Sequence, residues 1–203
     1  MHRFAVLVVV FTVAAASGID AQRRQPATKV EPAQVTCPES LGTGVKTKEN
    51  YCFVLAGLDP SDGVLVKIPR HAGEATLVFN LHSRHTYSES EVKAGKAFAR
   101  YTAVIGALTM SGDLLGRGAV QSEFRTAADL YDRISGGAGP GGVKAVAPLG
   151  CQEVSIAVPQ NVEQVSLLGE ILEGVTSAGR EVASPGRPVA IISDVRVEYR
   201  PRR

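Results

Sequence analysis

The sequence predicts an all-β chain: an antiparallel β-sandwich resembling a jelly roll, with one or two short helices. Three observations point there. Strand-sized apolar segments separated by turn residues recur along most of the chain. Near the C-terminus, Val195, Val197 and Tyr199 alternate with Asp194, Arg196, Glu198 and Arg200, the period of a strand with one buried face. A helical period is found over one short stretch, where Ala127, Leu130, Tyr131 and Ile134 fall at i, i+3, i+4 and i+7 behind Thr126 and ahead of Gly136. Short strands joined by tight turns bury their apolar faces most readily by stacking two sheets.

Residues 1–21 come first and read as a secretory signal peptide. His2-Arg3 makes a basic start, residues 4–16 are apolar, and small residues follow at Ala16, Ser17, Gly18 and Ala21. As a helix the apolar run rises about 20 Å, short of the ~30 Å hydrocarbon core, so a permanent anchor is not expected. The expected address is secreted or periplasmic, with no membrane span after signal cleavage. Residues 22–36 are polar, contain two prolines and lack a hydrophobic period, and so read as a flexible leader. Residues 37–203 are then a single β-sandwich domain. The 203-residue chain is 44% hydrophobic, enough for one core. Its 22 Lys+Arg against 20 Asp+Glu leave a charge of +2, too balanced for a nucleic-acid partner.

Cys37, Cys52 and Cys151 are an odd set. They allow one bridge and a free thiol, or three buried thiols; Cys37 and Cys52 are the most local pair, and their bridge would add about 3 kcal/mol by the chain-entropy account.

Within the domain, residues 51–58 and 64–68 flank Asp59-Pro-Ser-Asp-Gly63 and read as a hairpin. The strand at 75–81 carries Leu77, Phe79 and Leu81 on its inward face. Beyond it, residues 82–95 read as a charged loop with a short helix, given the capping pair Ser88 and Glu91 and the Glu89–Lys93 spacing. Residues 96–110 and 114–124 form a second hairpin around Ser111-Gly-Asp113, with Gly116 and Gly118 marking bulges or close backbone packing. Strands at 143–147, 153–158, 162–171 and 189–200 complete the sandwich, separated by Pro-Leu-Gly, Pro-Gln-Asn and a longer turn.

Chemical motifs are few. Gly137-x-Gly139-x-x-Gly142 fits a dinucleotide fingerprint in spacing only, because a helical pattern precedes it and a strand follows, the reverse of what pyrophosphate binding needs. No serine elbow, zinc-protease helix or Cys-x-x-Cys pair is present, and no cofactor is implied. His71, His82 and His85 are the histidines left after signal removal. A strand between His71 and His82 separates them by on the order of 25 Å, which rules out one shared ion. If residues 51–81 form a meander, the Asp59–Asp62 turn meets the His82–His85 loop at one end of the sheet. The candidate ligand-binding residues are therefore Asp59, Asp62, Asn80, His82, Arg84, His85 and Tyr87, with no catalytic or metal role assigned. The expected function is an exported noncatalytic module that binds a carbohydrate, a peptide or an envelope protein through end loops. A secreted hydrolase, using Asp59, Asp62, His82 and His85 with either convergent carboxylates or a metal, is the alternative.

Overall fold

A computed structural model describes residues 27–202 of the chain. The predicted signal peptide lies outside the described residues. The described residues form twelve strands: β1 (Lys29–Pro32), β2 (Gln34–Thr36), β3 (Ser40–Thr43), β4 (Asn50–Leu55), β5 (Val64–Lys67), β6 (Ala75–Thr86), β7 (Ala99–Thr109), β8 (Leu114–Phe124), β9 (Val146–Val158), β10 (Gln164–Thr176), β11 (Gly179–Val182) and β12 (Pro188–Tyr199). The helix α1 (Glu89–Lys93) lies between β6 and β7. The first sheet runs β3-β4-β12-β6-β9 with β1 added to β12, and the second runs β2-β5-β10-β7-β8 with β11 added to β10. Their ladders are antiparallel.

Setting aside the short β1, β2, β3 and β11, the other eight strands in chain order lie 1-8-3-6 in one sheet and 2-7-4-5 in the other. Apart from the β7–β8 hairpin, each step along the chain crosses between sheets, which is the jelly-roll arrangement. That corrects the predicted first hairpin and the meander built on it. β4 pairs with β3 and β12, whereas β5 pairs with β2 and β10. Pro60–Asp62 forms a single 3-10 turn, capped by the Asp59 carboxylate on the Ser61 amide, that carries the chain from one sheet to the other.

The core lies between the sheets. Leu77, Phe79 and Leu81 of β6 face it as the alternation predicts, opposite Tyr101, Ala103 and Ile105 of β7. Gly118 of β8 approaches β9 so closely that an added Cβ would stand 2.9 Å from a Val154 methyl, so the glycine there serves close packing. Cys37 and Cys52 are bridged, with Cα atoms 5.5 Å apart, while Cys151 is free and exposed.

Three further expectations change. Within the predicted leader, residues 29–36 form strand, where β1 pairs with the end of β12 and β2 with β5; Val30 and Val35 alternate with polar residues in two stretches too short for sequence periodicity to register. The predicted loop at 82–85 is strand, since β6 continues to Thr86 along β9. The predicted helix at 127–134 stops after the 3-10 turn Ala127–Asp129. Thr126 and Asp129 form the capping box, but Leu130 is already extended because its neighbours hydrogen-bond elsewhere: the Tyr131 amide donates to Pro148 O and the Val45 amide to Arg133 O. The apolar spacing buries Ile134 along an extended strap instead of a helix.

Candidate ligand site

The strap, residues 130–135, makes the outer face of the first sheet unusual. It bridges Leu149 of the edge strand β9 at its start and Gly44, just past the opposite edge strand β3, at its end. Beneath it Leu41, Tyr51, Phe53, Ile134 and Ile191 form a second small core on the sheet face turned away from the main one. Asp132 fastens the strap. Its carboxylate accepts from the Lys46 amide at 2.9 Å, the Thr47 amide at 2.9 Å, the Thr47 hydroxyl at 2.6 Å and the Arg133 amide at 2.6 Å. Burial pushes the Asp132 pKa up, but these hydroxyl and amide donors outweigh it and hold the carboxyl below its ordinary value. The group stays ionised where it is 3% exposed.

Where the strap and the following glycine-rich turn pass the end of β6, they leave a cavity of about 380 Å³. Tyr87, Leu130, Val143 and Ala147 give it apolar walls, and Arg133, Lys144 and Glu89 supply charge. The Arg133 guanidinium stands 5.7 Å from the centre of the Tyr87 ring, within cation–π range. Lys144 donates from Nζ to Leu41 O, which ties the cavity floor to β3. A second cavity of about 390 Å³ opens beside it at the same end of the sandwich, between His85, Tyr101 and the β10–β11 turn. Phe124 packs between the two, stacked on His85 at 3.9 Å and edge-on to Tyr87 at 6.1 Å.

His82 and His85 lie three residues apart in an extended strand and so point to opposite faces. His82 sits under the strap between Tyr51 and Tyr131, and His85 sits in the main core against Tyr101 and Phe124. A carbonyl can only accept, so His82 Nδ1 carries the proton donated to Gly150 O at 2.6 Å, and Nε2 accepts from the Ser193 hydroxyl at 3.0 Å. A base beside a hydroxyl suggests nucleophilic chemistry, but His82 is 0% and Ser193 1% exposed, so both are closed to solvent here. Burial lowers the pKa of both histidines, that of His85 to about 4, so both are neutral near pH 7. Burial likewise pushes the Tyr101 hydroxyl up to about 12.

The predicted residues therefore separate. Asp59 and Asp62 are exposed at the crossover turn, and Asp59 spends its carboxylate on the Ser61 amide and hydroxyl. Asn80 lies opposite Ser193 and Glu153 in the first sheet. Arg84 donates to Pro188 O at 3.1 Å and pairs with Glu181, holding β12 and β11 together. The polar patch of Asp59, Asp62, His82 and His85 is not assembled, since the imidazoles occupy opposite faces with other partners. Among the described residues no group of three or more His, Cys, Asp or Glu is placed to hold a metal ion. Tyr87 lines the first cavity and His85 the second. Sequence reading missed Leu130, Arg133, Val143 and Lys144, which carry no motif and meet Tyr87 only through the strap.

No family model and no curated protein matches this chain. Among solved structures it is similar to the infectious bursal disease virus VP2 subviral particle, at 13% identity and a TM-score of 0.28 over 92% of this chain and 37% of that one. It is also similar to a chain of the T13 IBDV viral particle, at 11% identity and a TM-score of 0.29 over 92% of this chain and 36% of that one. The chain thus spans little more than a third of either. Likeness at this level carries no argument about what this protein does.

Proposed function

We propose that this chain is an exported, noncatalytic β-sandwich module that binds a carbohydrate, peptide or envelope-protein ligand at the Tyr87 end. The observation that carries the reading is the cavity between Tyr87 and the strap. Its walls stand on Tyr87 just past β6, on Ala147 of β9 and on a segment latched by a buried carboxylate, which supports a site held in place before binding. Concave sites on the loops of a rigid sandwich are where such folds usually contact ligands. Export is supported by the apolar segment at residues 4–16 and by the Cys37–Cys52 bridge, which persists in oxidising compartments. Catalysis has no support at Ser193 and His82, because the pair is sealed from solvent.

Isotope-labelled protein titrated with a panel of glycans and peptides tests this reading. Amide shifts clustered at residues 87, 130–134 and 143–147, without product formation, are expected. Turnover of a panel member, or shifts confined to the crossover turn near Asp62, would overturn it.

A further inference from the structure

We infer that the Tyr87 cavity selects a monocarboxylate carried on a short apolar body, an inference that rests on the binding reading above and narrows its ligand class. The lining holds two cations, Arg133 and Lys144, and one carboxylate, Glu89, for one net positive charge. Glu89 also pairs with Lys93 at 3.0 Å, but Lys93 lies outside the lining and both side chains are more than half exposed, so Glu89 keeps its negative charge at the cavity. Among the described residues no carboxylate pairs with Arg133 or Lys144; their contacts there are the Tyr87 ring and Leu41 O. Both side chains keep donors to spare, because a guanidinium has five N–H groups and an ammonium three.

Two cations beside apolar walls in a concave site favour an anion over a neutral or cationic group, since charge-assisted bonds to a carboxylate are roughly twice as strong as neutral ones. One net positive charge is matched by one negative charge; a dianion would leave excess negative charge beside Glu89. Leu130, Val143, Ala147 and the Tyr87 ring then cover the apolar body. A volume of about 380 Å³ is at the small end of ligand cavities, which limits that body to a short chain or one side chain. Two sources share this chemistry, a short acyl chain and the C-terminal residue of a peptide.

The test uses the disulfide-bonded protein and matched probes: hexanoate, hexylammonium, hexanol and hexyl phosphate, with N-acetylleucine as the mimic of a peptide terminus. Binding is read from amide shifts at residues 87, 130 and 143 and by calorimetry. Hexanoate or N-acetylleucine should bind at least tenfold more tightly than hexanol or hexylammonium, and more tightly than hexyl phosphate; the tighter of the two carboxylates identifies the source. Arg133→Met, which removes an exposed charge and keeps the aliphatic stem, should weaken the carboxylate about tenfold with an unchanged melting temperature. Lys144→Met should act in the same direction, with the spectrum checked because its bond to Leu41 O is lost as well. Equal binding of hexanol or hexylammonium at the same residues would overturn the charge selection and leave the site reading standing. If no probe shifts these residues, the carboxylate inference falls, and the glycan and peptide panel alone decides the binding reading.

Discussion

The two outer faces of the sandwich have been treated differently. On the first sheet, the strap crosses from the β9 edge to the β3 side and seals Tyr51, Phe53, His82 and Ile191 beneath it. Among the described residues no segment crosses the second sheet in the same way: Arg100, Thr102, Gln121, Glu123 and Glu173 line an open polar hollow of about 440 Å³. The covered face has buried polar groups bonded out of reach of water, and the open face has charges that pair in water, such as Arg117 with Glu170. Covering a sheet creates a second core, but it also requires each covered polar group to find a bond. Asp132 and His82 meet that requirement, and the cavity beside Tyr87 forms where the cover ends.

The sharpest way to break the contrast is to cut the latch. Asp132→Ala leaves the amides of Lys46 and Thr47 and the Thr47 hydroxyl without their acceptor, and should cost on the order of 4 kcal/mol. Urea unfolding should show the loss, with faster hydrogen exchange over residues 130–135. Replacing Cys37 and Cys52 together by Ala should cost about 3 kcal/mol by the chain-entropy account, measured in the same way.

A pH effect of similar size separates the buried groups. The folded pKa of His85 is depressed to about 4 from 6.5. Above pH 6.5 folded and unfolded imidazoles are both neutral and stability is full. As pH falls below 6.5 the unfolded chain gains a proton that the folded chain refuses, and stability declines until about pH 4, by about 3 kcal/mol in all. His82 adds to the decline with the same sign. Asp132, whose pKa is held below 3.8, loses its contribution only at still lower pH. Melting temperatures between pH 7 and pH 4 should fall, and His85→Phe should flatten the slope.

The smallest effect is expected on the open face. Glu173 pairs with Arg180 at 3.1 Å with both side chains more than half exposed, and Glu173→Ala should change stability by less than about 0.5 kcal/mol. A loss comparable to that of Asp132→Ala would abolish the distinction between the faces.

Much of the fold was legible because its causes are local. The alternation of Val195, Val197 and Tyr199, the Ser111-Gly-Asp113 turn and the Ser88 cap are each written within a few residues, and β12, the β7–β8 hairpin and α1 follow from them. Strand pairing was less legible. The Asp59–Gly63 turn has hairpin chemistry, yet residues 64–67 find their partner a hundred residues on, in β10. For the site, Tyr87 was named but its companions were not, since Asp132 acts on Thr47 from 85 residues away. The spacing from Ala127 to Ile134 suited a helix, and tertiary hydrogen bonds pulled it straight. His82 and His85 looked like a loop pair because β6 was ended at Leu81; five more residues of strand place them on opposite faces.

On this reading, the cover of the first sheet builds a ligand seat at its end. A crystal structure of the protein grown with hexanoate tests it most directly. The acyl chain should lie against Tyr87, Leu130 and Val143, with the carboxylate in hydrogen-bond range of Arg133. Hexanoate bound in the open hollow of the second sheet, with the Tyr87 cavity empty, would contradict it.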